Sequence, residues 1–303
     1  MAKKSEKIYK PWRKTCKLRS EIKAGALKMS DFAVDLHKIV HGYEGEKPAY
    51  CDPSHFFGTT YATGNMRSFA KRVLCRLAET EGGESVLNIS QTFGGGKSHI
   101  LGSLYYLATL GKNLPKELAV EAFLAEAQLK TPPQAVVAAV SYDSVDWKMG
   151  IELKGPDGKL KQLRMPWNQI AWQLLGQPGL DIIGRDETEV DFDTPPSDLQ
   201  WSKLIAKVEE SGKGALILVD EFLMWAHNAA TEDPTGENKH RGTFWIERMK
   251  NFWQCLAQSV ESSKRSCLVV SLLATDPEKM DQTGKDMLRA CNNGLNRMAS
   301  QQT

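Results

Sequence analysis

At 303 residues the chain has room for one large domain or two. Hydrophobic residues make up 41% and the formal net charge is +2, enough apolar content for a core and no charge excess that would select a nucleic-acid or acidic partner. No secretory leader pattern and no apolar run of membrane-spanning length is visible, and the six cysteines lack C-x-x-C or zinc spacing, so the expectation is a cytoplasmic protein with reduced thiols and no membrane partner.

The chain opens on a basic stretch, Met1–Lys23, which reads as a solvated terminus or as a track for nucleic-acid phosphates. Ser30-Asp31 then starts a helix to about Val40, with Phe32, Leu36, Ile39 and Val40 on one face. His37 and His41 share a side of it at i, i+4; with no third ligand in view they read as polar-face residues. Tyr50–Thr63 is aromatic and polar without clean periodicity. Its Phe56, Phe57 and Tyr61 are candidates either to stack on a base or to pack in the core. A second helix spans Asn65 to about Glu79. Residues 1–80 thus form a mainly helical segment leading into the rest of the chain, 81–303.

After the Glu81-Gly82-Gly83 break, Val86–Ser90 reads as a short buried strand. It runs into Thr92, Phe93, Gly94, Gly95, Gly96, Lys97, Ser98 and His99, and a helix follows through Leu110. This strand–loop–helix layout is that of a phosphate-binding loop. Glycines let backbone N–H groups close around phosphate oxygens, and the positive end of the helix points at the same place. Lys97 is placed to reach the β- and γ-phosphates, and the Ser98 hydroxyl to hold Mg²⁺. The usual pattern begins with a further glycine, which Gln91 replaces here.

Lys116–Lys130 reads as a helix, and Ala135–Ser141 as a second buried strand ending near Asp143. Gly155-Pro156-Asp157-Gly158 predicts a turn in a small hairpin within Val145–Met165. A Trp-rich helix covers Trp167–Leu175, a polar excursion Gly176–Pro196, and a further helix Ser197–Glu210. Ala215–Glu221 then forms a buried strand that ends in two carboxylates. Beside a phosphate loop, Asp220 would hold Mg²⁺, mostly through its water shell, and Glu221 would polarise the attacking water. Phe222–Trp225 leads into Asn228–Arg241, read as an exposed loop, and Thr243–Glu261 is an amphipathic helix. Ser266–Leu273 is a fourth strand. Thr275 at its end is the candidate to sense the γ-phosphate, with Ser271 and Asp276 behind it.

Strands alternating with helices predict an α/β fold, a parallel sheet flanked by helices, with the nucleotide at the carboxyl ends of the strands. The motif pair predicts a P-loop NTPase that works with Mg²⁺. Six stretches carry a family resemblance: P-W-R-K-T-C at Pro11, D-F-A-V-D-L at Asp31, F-F-x-x-T-Y-x-T at Phe56, T-F-G-G-G-K-S-H at Thr92, W-x-x-I-A-W-Q-L at Trp167 and L-V-D-E at Leu218. In this order they resemble large prokaryotic AAA+ ATPases of the domain-of-unknown-function 499 type, encoded in defence islands beside DNA methyltransferases and helicases. More distantly the chain resembles the large ATPases of phage-exclusion systems. The resemblance implies an ATP hydrolase with ATP and Mg²⁺ as its cofactors and a role in anti-phage defence, with other subunits of the chain or of the defence system as partners and DNA as a candidate one. AAA+ proteins continue into a helical lid, for which the stretch after Pro277 is too short. That predicts an N-terminal piece of a longer protein, with Arg289 and Arg297 the late arginines able to act in trans. The other reading is a nucleotide-gated scaffold or DNA-binding assembly module with little turnover.

Overall fold

Unbroken runs of small and branched apolar residues, A-V-V-A-A-V and A-L-I-L-V, demand cover on both faces, and the architecture follows from providing it. The computed structural model describes residues 11, 14, 16, 23, 25, 34–89, 96–184, 193–231, 241–272 and 277–296. The chain divides into two units, residues 1–34 and residues 35–303. Within the first, the Lys14 amide donates to the Pro11 carbonyl at 2.8 Å; most of its basic run lies outside the described residues. The second unit contains helices α1 (Leu36–His41), α2 (Pro53–Thr59) and α3 (Gly64–Leu77), strand β1 (Val86–Asn88), α4 (Lys97–Leu110), α5 (Leu118–Glu126) and β2 (Ala135–Ser141). It continues through β3 (Ile151–Lys154), β4 (Leu160–Leu163), α6 (Pro166–Leu175), α7 (Gln177–Ile183), α8 (Asp198–Glu209) and β5 (Gly214–Asp220). Last come α9 (Phe222–Thr231), α10 (Arg241–Ser262), β6 (Cys267–Val270) and α11 (Gln282–Asn296). The boundary drawn near residue 80 from sequence falls inside this unit, because α1 and α3 pack on the sheet itself.

Four strands form a parallel sheet in the order β1-β6-β5-β2. The register sets Ser141 beside Asp220, so the carboxyl ends of β2 and β5 are level. Side chains alternate between faces with period two. Ala215, Ile217, Val219, Ala138, Val140, Leu268 and Val270 join one core with Trp167 of α6, Trp201 of α8 and Phe252 and Trp253 of α10. The intervening Leu216, Leu218, Ala139 and Val269 are equally buried and belong to the opposite face, which α1, α3 and α4 cover. The β3–β4 hairpin is antiparallel and turns at Gly158, whose φ of +84° suits glycine, as the sequence predicted.

Two polar devices hold this arrangement. β2 is an edge strand, and its Ala139 is closed off on both sides: His41 Nε2 donates to the carbonyl at 3.1 Å, and the amide donates to Gln173 Oε1 at 3.0 Å. Burial lowers the pKa of His41 to about 4, so the ring is a neutral donor rather than the polar-face residue expected. Arg76 of α3 reaches the end of α10, donating to the carbonyls of Val260, Glu261 and Ser263, and beyond it to Ser266. A guanidinium there satisfies carbonyls that the helix leaves open and complements its negative end.

Three short helices go beyond the sequence reading. α2 starts on Asp52, whose side chain accepts from His55 N at 2.9 Å, with Pro53 at the first helical position. α7 occupies the start of the expected excursion, and residues 185–192 lie outside the described ones. α9 extends to Thr231, through residues expected in a loop; the rest of that loop, 232–240, is likewise outside. α8, expected over Ser197–Glu210, is present and begins with a capping box in which Ser197 and Gln200 form a reciprocal pair. Arg289 is exposed and pairs with Asp286 at 3.8 Å; Arg297 is outside the described residues.

Candidate functional site

The carboxyl edge of the sheet gathers side chains from distant parts of the sequence. β5 ends in Asp220, with Glu221 in the corner that follows, and α4 begins with Lys97 and Ser98. Ser98 Oγ donates to Asp220 Oδ2 at 3.0 Å across 122 positions of sequence. Lys97 is buried, and its charge acts on both carboxylates. The residue before it, Gly96, has φ +75° and caps α4 without a side-chain hydrogen bond. The first amides of this 14-residue helix therefore receive no capping side chain from among the described residues, the arrangement in which helix N-termini receive anions.

Asp220 is 1% exposed, and among the described residues its Oδ1 has no hydrogen-bond partner. Burial raises its pKa. The Ser271 and Ser98 hydroxyls and the Lys97 ammonium offset part of that rise, and Asp143 adds to it. Ser271, at the end of β6, is itself fully buried; its hydroxyl acts on the carboxylate without closing a hydrogen bond of ordinary geometry. The unpaired Oδ1, the Ser98 hydroxyl and a carboxylate that burial disfavours make an oxygen-only donor set, which suits a hard divalent cation. Among the described residues no group of three or more His, Cys, Asp or Glu side chains is arranged to hold a metal, so such an ion would take its remaining ligands from water or substrate.

Glu221 is half-buried, and burial, then Asp220 and Asp143, raise its pKa while Lys97 lowers it. Its φ of +55° lies in the left-handed region that side chains other than Asn, Asp and Gly rarely adopt. The corner is held from beyond: Phe222 N donates to Ser271 O at 3.4 Å and Leu223 N to Leu272 O at 3.0 Å. Asp143, noted from sequence only as lying near a strand end, accepts from Ser141 Oγ at 2.8 Å and Ser144 Oγ at 3.0 Å. Its charge reaches both Asp220 and Glu221.

The sequence candidates are not all brought together. His99 turns toward α2: its Nε2 donates to Thr60 Oγ1 at 2.7 Å, and its ring stacks on Phe56 with centroids 4.6 Å apart. Thr60 Oγ1 in turn donates to Phe56 O, which fixes the imidazole nitrogen as the donor. Phe56 and Phe57 are core residues, and Tyr61 is exposed. Thr92, Phe93, Gly94, Gly95 and Thr275 lie outside the described residues, as does Asp276.

Fold and site together define an α/β protein whose parallel sheet carries a lysine, a hydroxyl and buried carboxylates at its carboxyl edge. Residues 13–145 match the family model described as the DUF499 N-terminal domain. That match supports the DUF499 family and takes in β1, the glycine loop, α4 and Asp143. No curated protein and no solved structure matches the chain. Among the described residues no helix is long and apolar enough to cross a membrane.

Proposed function

We propose that this chain binds ATP with Mg²⁺ and hydrolyses it, as a P-loop ATPase of AAA+-like fold. The observation that carries the reading is the 3.0 Å bond from Ser98 to Asp220, beside an unpaired buried carboxylate oxygen and the buried Lys97. The strand order supports it as well: β6 lies between the strand that feeds the glycine loop and the strand that ends in Asp220-Glu221, and adds Ser271 to the same edge. Ser98 and Asp220 would hold Mg²⁺, which would neutralise charge on the β- and γ-phosphates. Lys97 and the first amides of α4 bind the phosphates. Glu221, its pKa raised by burial, accepts the proton of a water that attacks the γ-phosphorus as the bond to the β-bridging oxygen breaks. Inorganic phosphate and ADP leave. The resemblance to defence-island ATPases supports a place in a multi-protein anti-phage system of prokaryotes, working on or near DNA.

Titration calorimetry and a phosphate-release assay test this directly. Lys97→Ala is expected to lose ATP binding by a hundredfold or more. Glu221→Gln is expected to keep binding and to lose turnover. Normal hydrolysis by Glu221→Gln removes the role given to that residue, and ATP binding by Lys97→Ala at full affinity removes the site. Binding without turnover in the unmodified chain, with or without duplex DNA, favours a nucleotide-gated assembly module instead.

A further inference from the structure

Between α9 and the start of α11 lies a cavity of about 250 Å³. Leu223, Met224 and Met280 form its apolar wall, and Gly284 brings the first turn of α11 up against it. A Cβ at Gly284 would stand 3.2 Å from Asp281 Oδ1 and 3.3 Å from Met280 Cβ, so a larger residue there would crowd the lining. Leu223 is buried, whereas Met224 is 44% exposed and makes the rim. Methionine chains are flexible and polarisable, which lets a wall built from them adapt to what it covers.

The polar groups of the cavity divide into a satisfied pair and a free charge. Asp281 accepts from His227 Nε2 at 3.0 Å and from Gly284 N at 2.7 Å, and the Lys285 ammonium acts on it as well. Lys279, which ends the turn Pro277–Lys279, is exposed and pairs with no carboxylate among the described residues. The lining thus offers one acid that is already served and one cation that is not. Resting on these groups and not on the nucleotide reading, we propose that the cavity binds a small amphipathic acid, a hydrocarbon ring system carrying a single carboxylate. Leu223, Met224 and Met280 take the hydrocarbon, and Lys279 complements the carboxylate in charge. A cavity of about 150 Å³ accepts one benzene ring, so this one has room for two fused rings. The site also lies against the backbone that follows Glu221: Leu223 comes two residues later, and its amide donates to Leu272 O at 3.0 Å.

The experiment measures naphthoate and its uncharged analogue naphthylmethanol by saturation-transfer NMR and calorimetry at pH 8. The proteins are the unmodified chain, Lys279→Gln, Met224→Glu and Lys97→Ala. Naphthoate is expected to bind the unmodified chain with a Kd of about 1 mM or below, the range open to a ligand of its size. Lys279→Gln should weaken naphthoate about fivefold and leave naphthylmethanol within about twofold. Met224→Glu takes away part of the wall and adds a like charge, so it should weaken naphthoate about tenfold or more. Both side chains are exposed, thermal melting checks the fold, and Lys279→Gln carries the comparison even where Met224→Glu perturbs it. Lys97→Ala should leave naphthoate binding unchanged. No naphthoate binding at about 10 mM, ten times the expected Kd, overturns the proposal. Affinity untouched by Lys279→Gln overturns it too, and so does a loss of binding in Lys97→Ala, which would place the acid at the glycine loop instead. None of these results depends on whether the chain binds ATP.

Discussion

Replacing Asp220 with asparagine separates what the buried carboxylate costs the fold from what it does for a ligand. Among the described residues its Oδ1 closes no hydrogen bond of ordinary geometry, and neither does the nearby Ser271 hydroxyl, though it acts on the carboxylate. An orphaned buried polar group costs about 1–3 kcal/mol. In Asp220→Asn the oxygen side keeps the Ser98 bond, and the new Nδ2 can donate to Ser271 Oγ, so two orphans satisfy each other. Lost in exchange is attraction to Lys97, which ranks below burial and both hydroxyls among the influences on this group. The expected net effect is a gain of about 1–2 kcal/mol at pH 8 without ligands, or roughly 2–4 °C in melting temperature for a chain of this size. The sign with pH follows from the raised pKa. Between the ordinary carboxylate value and the raised one the folded state binds more protons than the unfolded chain. Wild-type stability therefore falls as pH rises through that window, and the variant's advantage grows across it and then levels off. If the proposed function holds, Mg·ATP at a hundred times its Kd is expected to reverse the ranking by adding about 2.7 kcal/mol to the wild type, with the magnesium-dependent part lost in the variant. Thermal melts at pH 5 and pH 8, with and without Mg·ATP, measure both. A ligand-free variant that melts below the wild type at pH 8 refutes the argument.

Two further outcomes concern the frame. Arg76→Ala should cost about 3 kcal/mol in urea unfolding, since one charged group serves four carbonyls at the end of α10, and Arg76→Lys should recover less than half because an ammonium cannot fork. A loss below about 0.5 kcal/mol would mean that those carbonyls are served otherwise. His41 has a pKa of about 4 in the fold, against an ordinary 6.5, so the unfolded chain gains the proton first as pH falls. Stability is present above 6.5 and is lost toward pH 4, at up to about 1.4 kcal/mol per pH unit. His41→Gln keeps a donor for Ala139 O and should flatten that dependence, leaving the smaller share of His37, whose pKa burial also lowers; urea midpoints at pH 5 and 7 report it.

Where local pattern suffices, the sequence reading and the structure coincide. β2 is bounded as read, and β5 within a residue, because a run of buried aliphatics is incompatible with a solvated face. α4 begins where glycine gives way to Lys97, and the hairpin turns at its Gly-Pro-Asp-Gly. The polar stretch Asn228–Arg241, with its D-P-T-G, reads as an exposed loop, yet α9 runs from Phe222 through Thr231. In the fold, Asp281 accepts from His227 Nε2 at 3.0 Å while Ala229 and Ala230 are buried, so the polar positions are served and the helix runs on. α2 did carry a local signal, the Asp52-Pro53 pair, which the aromatic content of Tyr50–Thr63 obscured.

By itself the sequence determined the α/β class, the four sheet strands and the chemistry available at their ends, since periodicity, glycine content and carboxylate position are local properties. The tertiary structure alone decided that Asp220 loses its water while Oδ1 stays unpaired, that Glu221 sits in a left-handed corner, that His99 turns away to hold Thr60, and that Tyr61 rather than Phe56 or Phe57 stays uncovered. Burial, strain and pairing depend on which residues meet across the sheet, and strand order and register set that where no run of neighbouring residues encodes it.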